Sequence, residues 1–328
     1  MQSYLLVTGA SGFLGSAVVD QAVSSGVLVK ATDRNINTKF IGDNFIPADI
    51  LDPLSLSKVF EGVDCVCHVA GLAHIFHNPE ALTANFHTIN VVGSENVARA
   101  AFNAGAQHLI FISSVSVYGG ISKNKGEDEE CYPEGPYAES KWKAEQFLIE
   151  FCQKNKMNLS ILRLATLYGE EDPGNVKRLI SAIDKGRFIW VGKGNNLKSL
   201  LHRKDAARAC IEVVKNPISG ISIYNVSTQA CTMKDIVETI ASALPKKIPS
   251  WRIPSSFALH TVKIMKNLSF NHDKLNSLYS TLQKWMADDC YNTDKFCKTY
   301  DFQTIVTLEE GIKREVAWYM GNLKTKVS

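Results

Sequence analysis

Tyr137 and Lys141 frame the run Tyr137-Ala138-Glu139-Ser140-Lys141, a spacing that puts a phenol and an ammonium on one face of a helix. A nearby positive charge favours the phenolate, so the pair predicts a tyrosine drawn towards the range useful for acid–base catalysis. The same spacing is common on solvated helix surfaces, so its neighbours must decide between the two readings. Ser113-Ser114-Val115-Ser116-Val117-Tyr118-Gly119 follows the apolar run 108–113 directly. If that run is a strand of an open parallel sheet, its hydroxyls lie at the carboxyl edge, where such sheets bind ligands.

A second constellation lies at the N-terminus. Tyr4-Leu5-Leu6-Val7-Thr8 is apolar enough for a buried strand and runs into Gly9, Gly12 and Gly15, after which 13–25 reads as a helix. Glycine permits the sharp turn and lets a pyrophosphate approach main-chain N–H groups, and the helix N-terminus adds partial positive charge. A second strand, 27–32, delivers Asp33 about 20 residues after the glycines, where a carboxylate binds an adenosine ribose. That carboxylate repels a 2′-phosphate and favours NAD, whereas Arg34 beside it offers such a phosphate a partner and keeps NADP open.

These groups need a scaffold, and the first half of the chain alternates strand and helix patterns. The expected fold class is α/β, a doubly wound parallel sheet with a smaller C-terminal lobe. Residues 45–48 lead to Asp49-Ile50, and Asp52-Pro53 reads as a helix start with Asp as N-cap. Residues 65–70 read as a fourth strand, 80–104 as a long helix and 108–113 as a fifth strand. The acidic stretch 119–135 reads as a surface loop, 137–155 as a helix and 158–163 as a sixth strand. Residues 1–168, with part of 200–230, form the dinucleotide domain; 169–328 mainly form the substrate lobe. Within that lobe 255–268 reads as a packed helix, the alternative being a lid or a membrane-skimming helix; Lys263 and Lys266 are too few for lipid attraction.

Composition sets the class. The 328 residues are 45% hydrophobic and 21% charged, enough for a large core and a second lobe. The net charge of +3 is spread along the whole chain, which implies neither a nucleic-acid nor a membrane partner. No apolar run reaches the roughly 18 residues of a membrane span and no signal peptide is seen, so a cytoplasmic location is expected. The 8 cysteines contain no C-x-x-C pair. Cys65-x-Cys67 followed by His68 is a packing pattern in a strand rather than a metal site, so no metal is expected.

Taken together, the chain resembles the extended short-chain dehydrogenase/reductase family, in its nucleotide-sugar epimerase and reductase branch. The resemblance rests on Thr8-Gly9-Ala10-Ser11-Gly12-Phe13-Leu14-Gly15, Asp49-Ile50, His68-Val69-Ala70-Gly71, Asn90-Val91-Val92-Gly93 and the triad Ser114, Tyr137 and Lys141. Leu162-Arg163 to Tyr168-Gly169 and Leu308-Glu309-Glu310-Gly311-Ile312 with Trp318-Tyr319 extend it over nearly the whole chain. It implies that Tyr137 exchanges the substrate hydroxyl proton, that Ser114 hydrogen-bonds the same oxygen, and that Lys141 holds the nicotinamide ribose and lowers the Tyr137 pKa. It places Ser11, Phe13, Leu14, Val69, Ala70, Gly71 and Asn90 around the cofactor beside Asp33, Arg34, Asp49 and Ile50. Ser114, Ser116, Thr166, Lys198 and His202 are placed on the substrate, with Lys198 and Thr166 standing where many members carry a diphosphate-binding arginine and asparagine; the alternatives are a solvated surface charge for Lys198 and a structural role for His202.

The branch contains dehydratases that carry Thr-Asp-Glu where this chain has Ser114-Val115-Ser116, so dehydration is disfavoured. The fragments 68–74, 137–145 and 198–201 look most like the subgroup acting on UDP-linked N-acetylated hexoses in surface-polysaccharide pathways. The implied activity is 4-epimerisation through a 4-keto sugar. Reduction of a 4-keto-6-deoxy sugar nucleotide by external NAD(P)H is the alternative; a steroid- or dihydroflavonol-type reductase and a non-catalytic dinucleotide-binding protein stand behind both. The resemblance also implies a homodimer pairing the helices 85–104 and 137–155, with Phe102, Phe147, Leu148 and Phe151 serving an interface or the core.

Overall fold

The computed structural model describes residues 4–34, 44–73, 84–120, 122–268, 279, 282–283 and 285–325. Its centre is a six-stranded sheet built from β1 (Tyr4–Thr8), β2 (Val29–Thr32), β3 (Val63–His68), β4 (His108–Ser114), β6 (Asn158–Leu164) and β11 (Ile221–Val226). The strand order is β11-β6-β4-β3-β1-β2, every pairing is parallel, and Thr8 stands in register between Thr32 and His68. The order reverses between β1 and β3, which opens a crevice at their carboxyl ends.

Side chains alternate across this sheet with period two. Leu5, Val7, Ile110, Ile112 and Leu162 join one buried cluster, and Leu6, Leu109, Phe111, Leu159 and Ile161 join another. Helices α1 (Phe13–Ser24) and α6 (Arg203–Lys215) cover the first face through Val18, Ala207 and Cys210. The second is covered by α2 (Pro53–Val59), α3 (Gly93–Asn103) and α4 (Pro136–Asn155) through Leu56, Ala98 and Leu148. Burying each Val, Leu or Ile side chain in these clusters stabilises the fold by about 1.5–3 kcal/mol before the cost of chain ordering. Cys65 and Cys67 both pack towards the first cluster, and no group of three or more metal-ligating side chains occurs among the described residues.

Several boundaries differ from expectation. Residues 45–48 run along the sheet edge with a single bridge, Ala31 to Phe45; Ile46 N donates to Ala31 O (3.0 Å) and Ala48 N to Asp33 O (3.1 Å), and Pro47, which has no N–H, takes the intervening position, where an edge needs no donor. The run at 65–70 is therefore the third full strand and that at 108–113 the fourth. Asp52 caps α2 as expected, accepting from Leu54 N (3.0 Å). The expected helix from residue 80 begins outside the described residues, and its middle, His87–Val92, is π-helical before continuing into α3.

The stretch read as a loop contains β5 (Ser122–Lys125), which pairs with β14 (Asp289–Tyr291). With β9 (Leu197–Lys198) and β12 (Cys231–Thr232) these make a four-stranded sheet of the second lobe. Its core joins α5 (Asn175–Asp184), α7 (Met233–Ala243) and α10 (Leu308–Thr325) through Ile180, Val237 and Ile312. The chain then returns to the large sheet: Phe296 and Tyr300 of α9 (Asp294–Tyr300) pack into the first cluster with Tyr224. Helix α8 (Ser255–Leu268) is formed, but its described side chains are exposed or half-buried rather than packed into a core.

Candidate active site

The crevice is a cleft of about 1360 Å³ that runs from the glycine turn to the second lobe. At its floor β1 ends in Gly9, with φ +68°; a Cβ there would lie 2.6 Å from Ala70 Cα, so the chain passes too close for any side chain. A Cβ on Gly15 would lie 2.0 Å from Gly9 O, so the helix can approach the turn only through glycine. No side chain caps α1 at Gly12, which leaves its N-terminal N–H groups facing the cleft. Asp33 Oδ2 accepts from Ser11 N (3.0 Å), which fixes the carboxylate beside this turn. The exposed Arg34 lines the same wall. Asp49 also lines it, its Oδ1 accepting from Leu51 N (2.9 Å), as does Ile50. This cradle and its placed carboxylate fit an adenosine dinucleotide.

Across the cleft a buried relay sets the backbone of Val69, Ala70 and Gly71. Thr8 Oγ1 accepts from Ala70 N (3.3 Å) and lies 2.7 Å from His68 Nδ1, while His68 Nε2 lies 2.9 Å from Ser94 Oγ. Burial, aided by the charge of Lys141, pushes His68 down to about 3, so the ring is neutral and serves as a connector. Ser94 donates to Asn90 O (2.6 Å). Asn90, buried on the π-helical turn, accepts from Leu72 N (2.7 Å) and donates to Leu72 O (3.0 Å) and to Ser140 Oγ (2.9 Å). Ser140 in turn donates to Tyr137 O (2.7 Å). One amide thus joins the exit of β3 to the first turn of α4, and the i→i+5 turn aims it there.

On α4, Tyr137 is half-buried and faces the cleft, with Phe86 in an edge-to-face contact at 5.9 Å. Its phenol differs from expectation: burial pushes its pKa up, and the hydrogen bond with Ser114 is what draws it back down. Lys141 does not supply that pull, because its Nζ donates to Ile112 O (2.6 Å) and lies over the Phe111 ring. Burial lowers Lys141 to about 8, with Glu145 opposing. Ser114 closes β4 and accepts from Ser116 N (3.1 Å). Ser116 Oγ is buried against the cleft with no hydrogen-bond partner, an orphan suited to a substrate hydroxyl.

The cleft therefore brings together Gly9, Gly12, Phe13, Leu14, Gly15, Asp33, Arg34, Asp49, Ile50, Val69, Ala70, Gly71, Ser114, Ser116, Tyr137, Lys141 and Thr166. Ser11 and Asn90 act from behind it, through the bonds given above. Two expected substrate residues stand outside its lining. Lys198 is held in the small sheet opposite Cys231 and Asp289, and burial lowers its pKa against the pull of Asp289 and Asp288. His202 is buried as the cap of α6, accepting from Lys204 N (3.3 Å) with its ring edge-on to Tyr168.

Two features went unread in the sequence. Ser255, Leu259, Met286 and Asp289 bring the second lobe into the cleft. Behind Ser114, Glu145 forms a buried ion pair with Arg163 (2.7 Å) and accepts from Ser113 Oγ; Arg163 also donates to Tyr118 Oη (2.9 Å). An arginine inside the otherwise apolar run Ile161-Leu162-Arg163-Leu164 was the available signal.

The profile of the NAD dependent epimerase/dehydratase family matches residues 5–227. N-acetyl-alpha-D-glucosaminyl-diphospho-ditrans,octacis-undecaprenol 4-epimerase of Escherichia coli O157:H7 is 32% identical over 97% of this chain and 96% of its own. UDP-glucose 4-epimerase of Vibrio cholerae is 28% identical over 96% of this chain and 94% of its own. The crystal structure of UDP-glucuronic acid 4-epimerase from Bacillus cereus, in complex with UDP-glucuronic acid and NAD, superposes with a TM-score of 0.78 at 20% identity, covering 97% of this chain and 99% of the other; it shows the shared fold.

Proposed function

The chain belongs to the NAD dependent epimerase/dehydratase family, an extended short-chain dehydrogenase/reductase, and on that premise we propose that it is a 4-epimerase of a diphosphate-linked hexose. One observation carries the reading: Ser114, Tyr137, Lys141 and the partnerless Ser116 hydroxyl meet the dinucleotide cradle in a single cleft. Whole-length similarity to two 4-epimerases supports the choice of reaction, and Ser114-Val115-Ser116 lacks the acidic pair that dehydration requires. The N-acetylated hexose is the sugar we favour, with uridine or a polyprenol on the far side of the diphosphate.

Gly9, Gly12 and Gly15 would hold the pyrophosphate of NAD, Asp33 its adenosine ribose and Lys141 its nicotinamide ribose. When bound, NAD takes up the C4 hydrogen as hydride and gives it back. Tyr137, entering the step as the phenolate that the Ser114 hydrogen bond favours, receives the O4 proton as the carbon is oxidised and returns it as the sugar is reduced on its other face. Ser114 hydrogen-bonds both Tyr137 and, in this reading, the same substrate oxygen, so the proton moves along a short fixed path. Lys141, its Nζ on a main-chain carbonyl, is a buried cation that orients the ribose.

Proton NMR of UDP-N-acetylglucosamine and UDP-N-acetylgalactosamine, with catalytic NAD and no reductant, tests this. Interconversion of the two supports the epimerase. Silence on both, with turnover of a 4-keto-6-deoxy sugar nucleotide by NADPH, would replace it with the reductase.

A further inference from the structure

Helix α8 presents two faces. Ser255 and Leu259 line the cleft, while Phe257 on the same two turns is 65% exposed and Trp251, just before it, is 56% exposed. Large aromatic side chains left this open next to a ligand site mark an interaction surface. Arg252 and Ile253 pair in parallel with Trp190 and Val191, so Ile189, 46% exposed, stands in the register position beside Trp251.

The two stretches that flank this apolar ridge are basic in sequence. Residues 239–272 contain no Asp or Glu but hold Lys246, Lys247, Arg252, Lys263 and Lys266; residues 185–204 likewise contain no acid and hold Lys185, Arg187 and Lys193. The β-pairing at Arg252 and Trp190 and the bond from Lys246 Nζ to Asp184 O (3.0 Å) bring the two stretches together. Lys185, Arg187, Lys193, Lys247 and Lys263 are exposed. The overall charge of +3 conceals this local patch, at whose border Asp184 pairs with Lys246 (3.2 Å).

Exposed Trp and Phe among lysines and arginines are the chemistry of an interfacial anchor on anionic lipid. We propose that the face formed by Ile189, Trp251 and Phe257 docks on an anionic membrane surface. There it holds the mouth of the cleft against the bilayer, so that the sugar diphosphate is presented on a membrane-embedded polyprenol. Resting on the epimerase reading above, this adds the membrane-embedded lipid to uridine as a carrier that the cleft accepts. The opposite faces of α8 give the link: one contacts lipid while the other lines the cleft.

Flotation of the full-length protein with vesicles tests the surface. Binding is expected to phosphatidylcholine vesicles containing phosphatidylglycerol, to weaken with salt, and to be absent from phosphatidylcholine alone. The double variant Trp251→Ser, Phe257→Ser and the double variant Lys247→Glu, Lys263→Glu are each expected to bind about tenfold more weakly. Both should still epimerise the water-soluble UDP-N-acetylhexose at the parental rate. No binding by the parent, equal binding to both vesicle types, or parental binding by the variants would overturn the proposal. Vesicle binding without any epimerisation would instead overturn the reading of the cleft and leave the surface standing.

Discussion

At the scale of single residues, Tyr137 and Asp33 make separable demands. Tyr137 carries the proton in this reading, so Tyr137→Phe is expected to lower kcat by about 10²–10⁴-fold while leaving NAD affinity within a few-fold. Loss of NAD binding in equal measure would mean that the phenol serves the cofactor and not the reaction. Asp33 sits where its carboxylate, fixed by Ser11 N, opposes a 2′-phosphate, with Arg34 on the same wall. Removing that repulsion in Asp33→Ala should narrow the preference for NAD over NADP by at least about tenfold, measured by cofactor titration. An unchanged ratio would show that Arg34 and its surroundings set the choice. That Ser114, Tyr137 and Lys141 share one cleft was legible because these residue types are uncommon in such an order. What misled was the electrostatics: four residues of spacing suggested that Lys141 acidifies Tyr137, but a side chain on the same helix face can be claimed by a nearer acceptor, here Ile112 O.

At the scale of elements, the site depends on junctions between segments distant in sequence. Asn90 ties the exit of β3 to α4, so Asn90→Ala should unfasten Leu72 and Ser140 together. We expect kcat to fall about tenfold and the melting temperature by several degrees, read by steady-state kinetics and thermal unfolding. A change in neither would deny Asn90 its positioning role. The C-terminal helix α10 is joined in the same way: buried Glu315 accepts from Gly169 N (2.9 Å), at the end of β7 (Thr166–Tyr168). Burial and the charge of Asp172 push Glu315 up to about 9, so the folded protein holds it as a neutral acid.

Because that value lies above the ordinary carboxyl value of 4.5, the folded state binds the proton more tightly than the unfolded one. Its stabilising contribution is complete below about pH 4.5 and is lost as pH rises towards 9. Glu315→Gln, which keeps the acceptor and never ionises, should flatten the fall in melting temperature between pH 6 and 9. Parallel slopes for parent and variant would contradict the assignment. Neither junction could be read from sequence, since each is made by one polar side chain reaching an element whose position is set only by the fold.

At the scale of the whole molecule, the large parallel sheet was legible and the second lobe much less so. Strands buried on both faces and helices with clear caps announce themselves, whereas β9, β12 and β14 are two- or three-residue strands whose pairing has no periodicity to detect. That is why Lys198 was expected on the substrate although it lies within a small sheet, and why the cleft-lining residues around Met286 were missed. The outer face of α3 and α4 bears on assembly: Leu148 is core, but Phe102 is 42% exposed and meets Phe151 edge to face (6.0 Å), and Phe151 stacks with Phe147 (5.7 Å) beneath Arg99. We expect a homodimer through this face, with a sedimentation mass of two chains for the parent and one for Phe102→Asp. A one-chain mass for the parent at micromolar concentration would exclude it.

The central claim is that a sugar carbon gives up its hydrogen within this cleft and receives the same hydrogen back. Epimerisation of UDP-N-acetylglucosamine carried out in deuterium oxide and followed by proton NMR tests it most directly. The account predicts product with full proton intensity at C4 and no net change in cofactor redox state. Deuterium at C4 would contradict it, because the hydrogen would then have left as a proton to solvent.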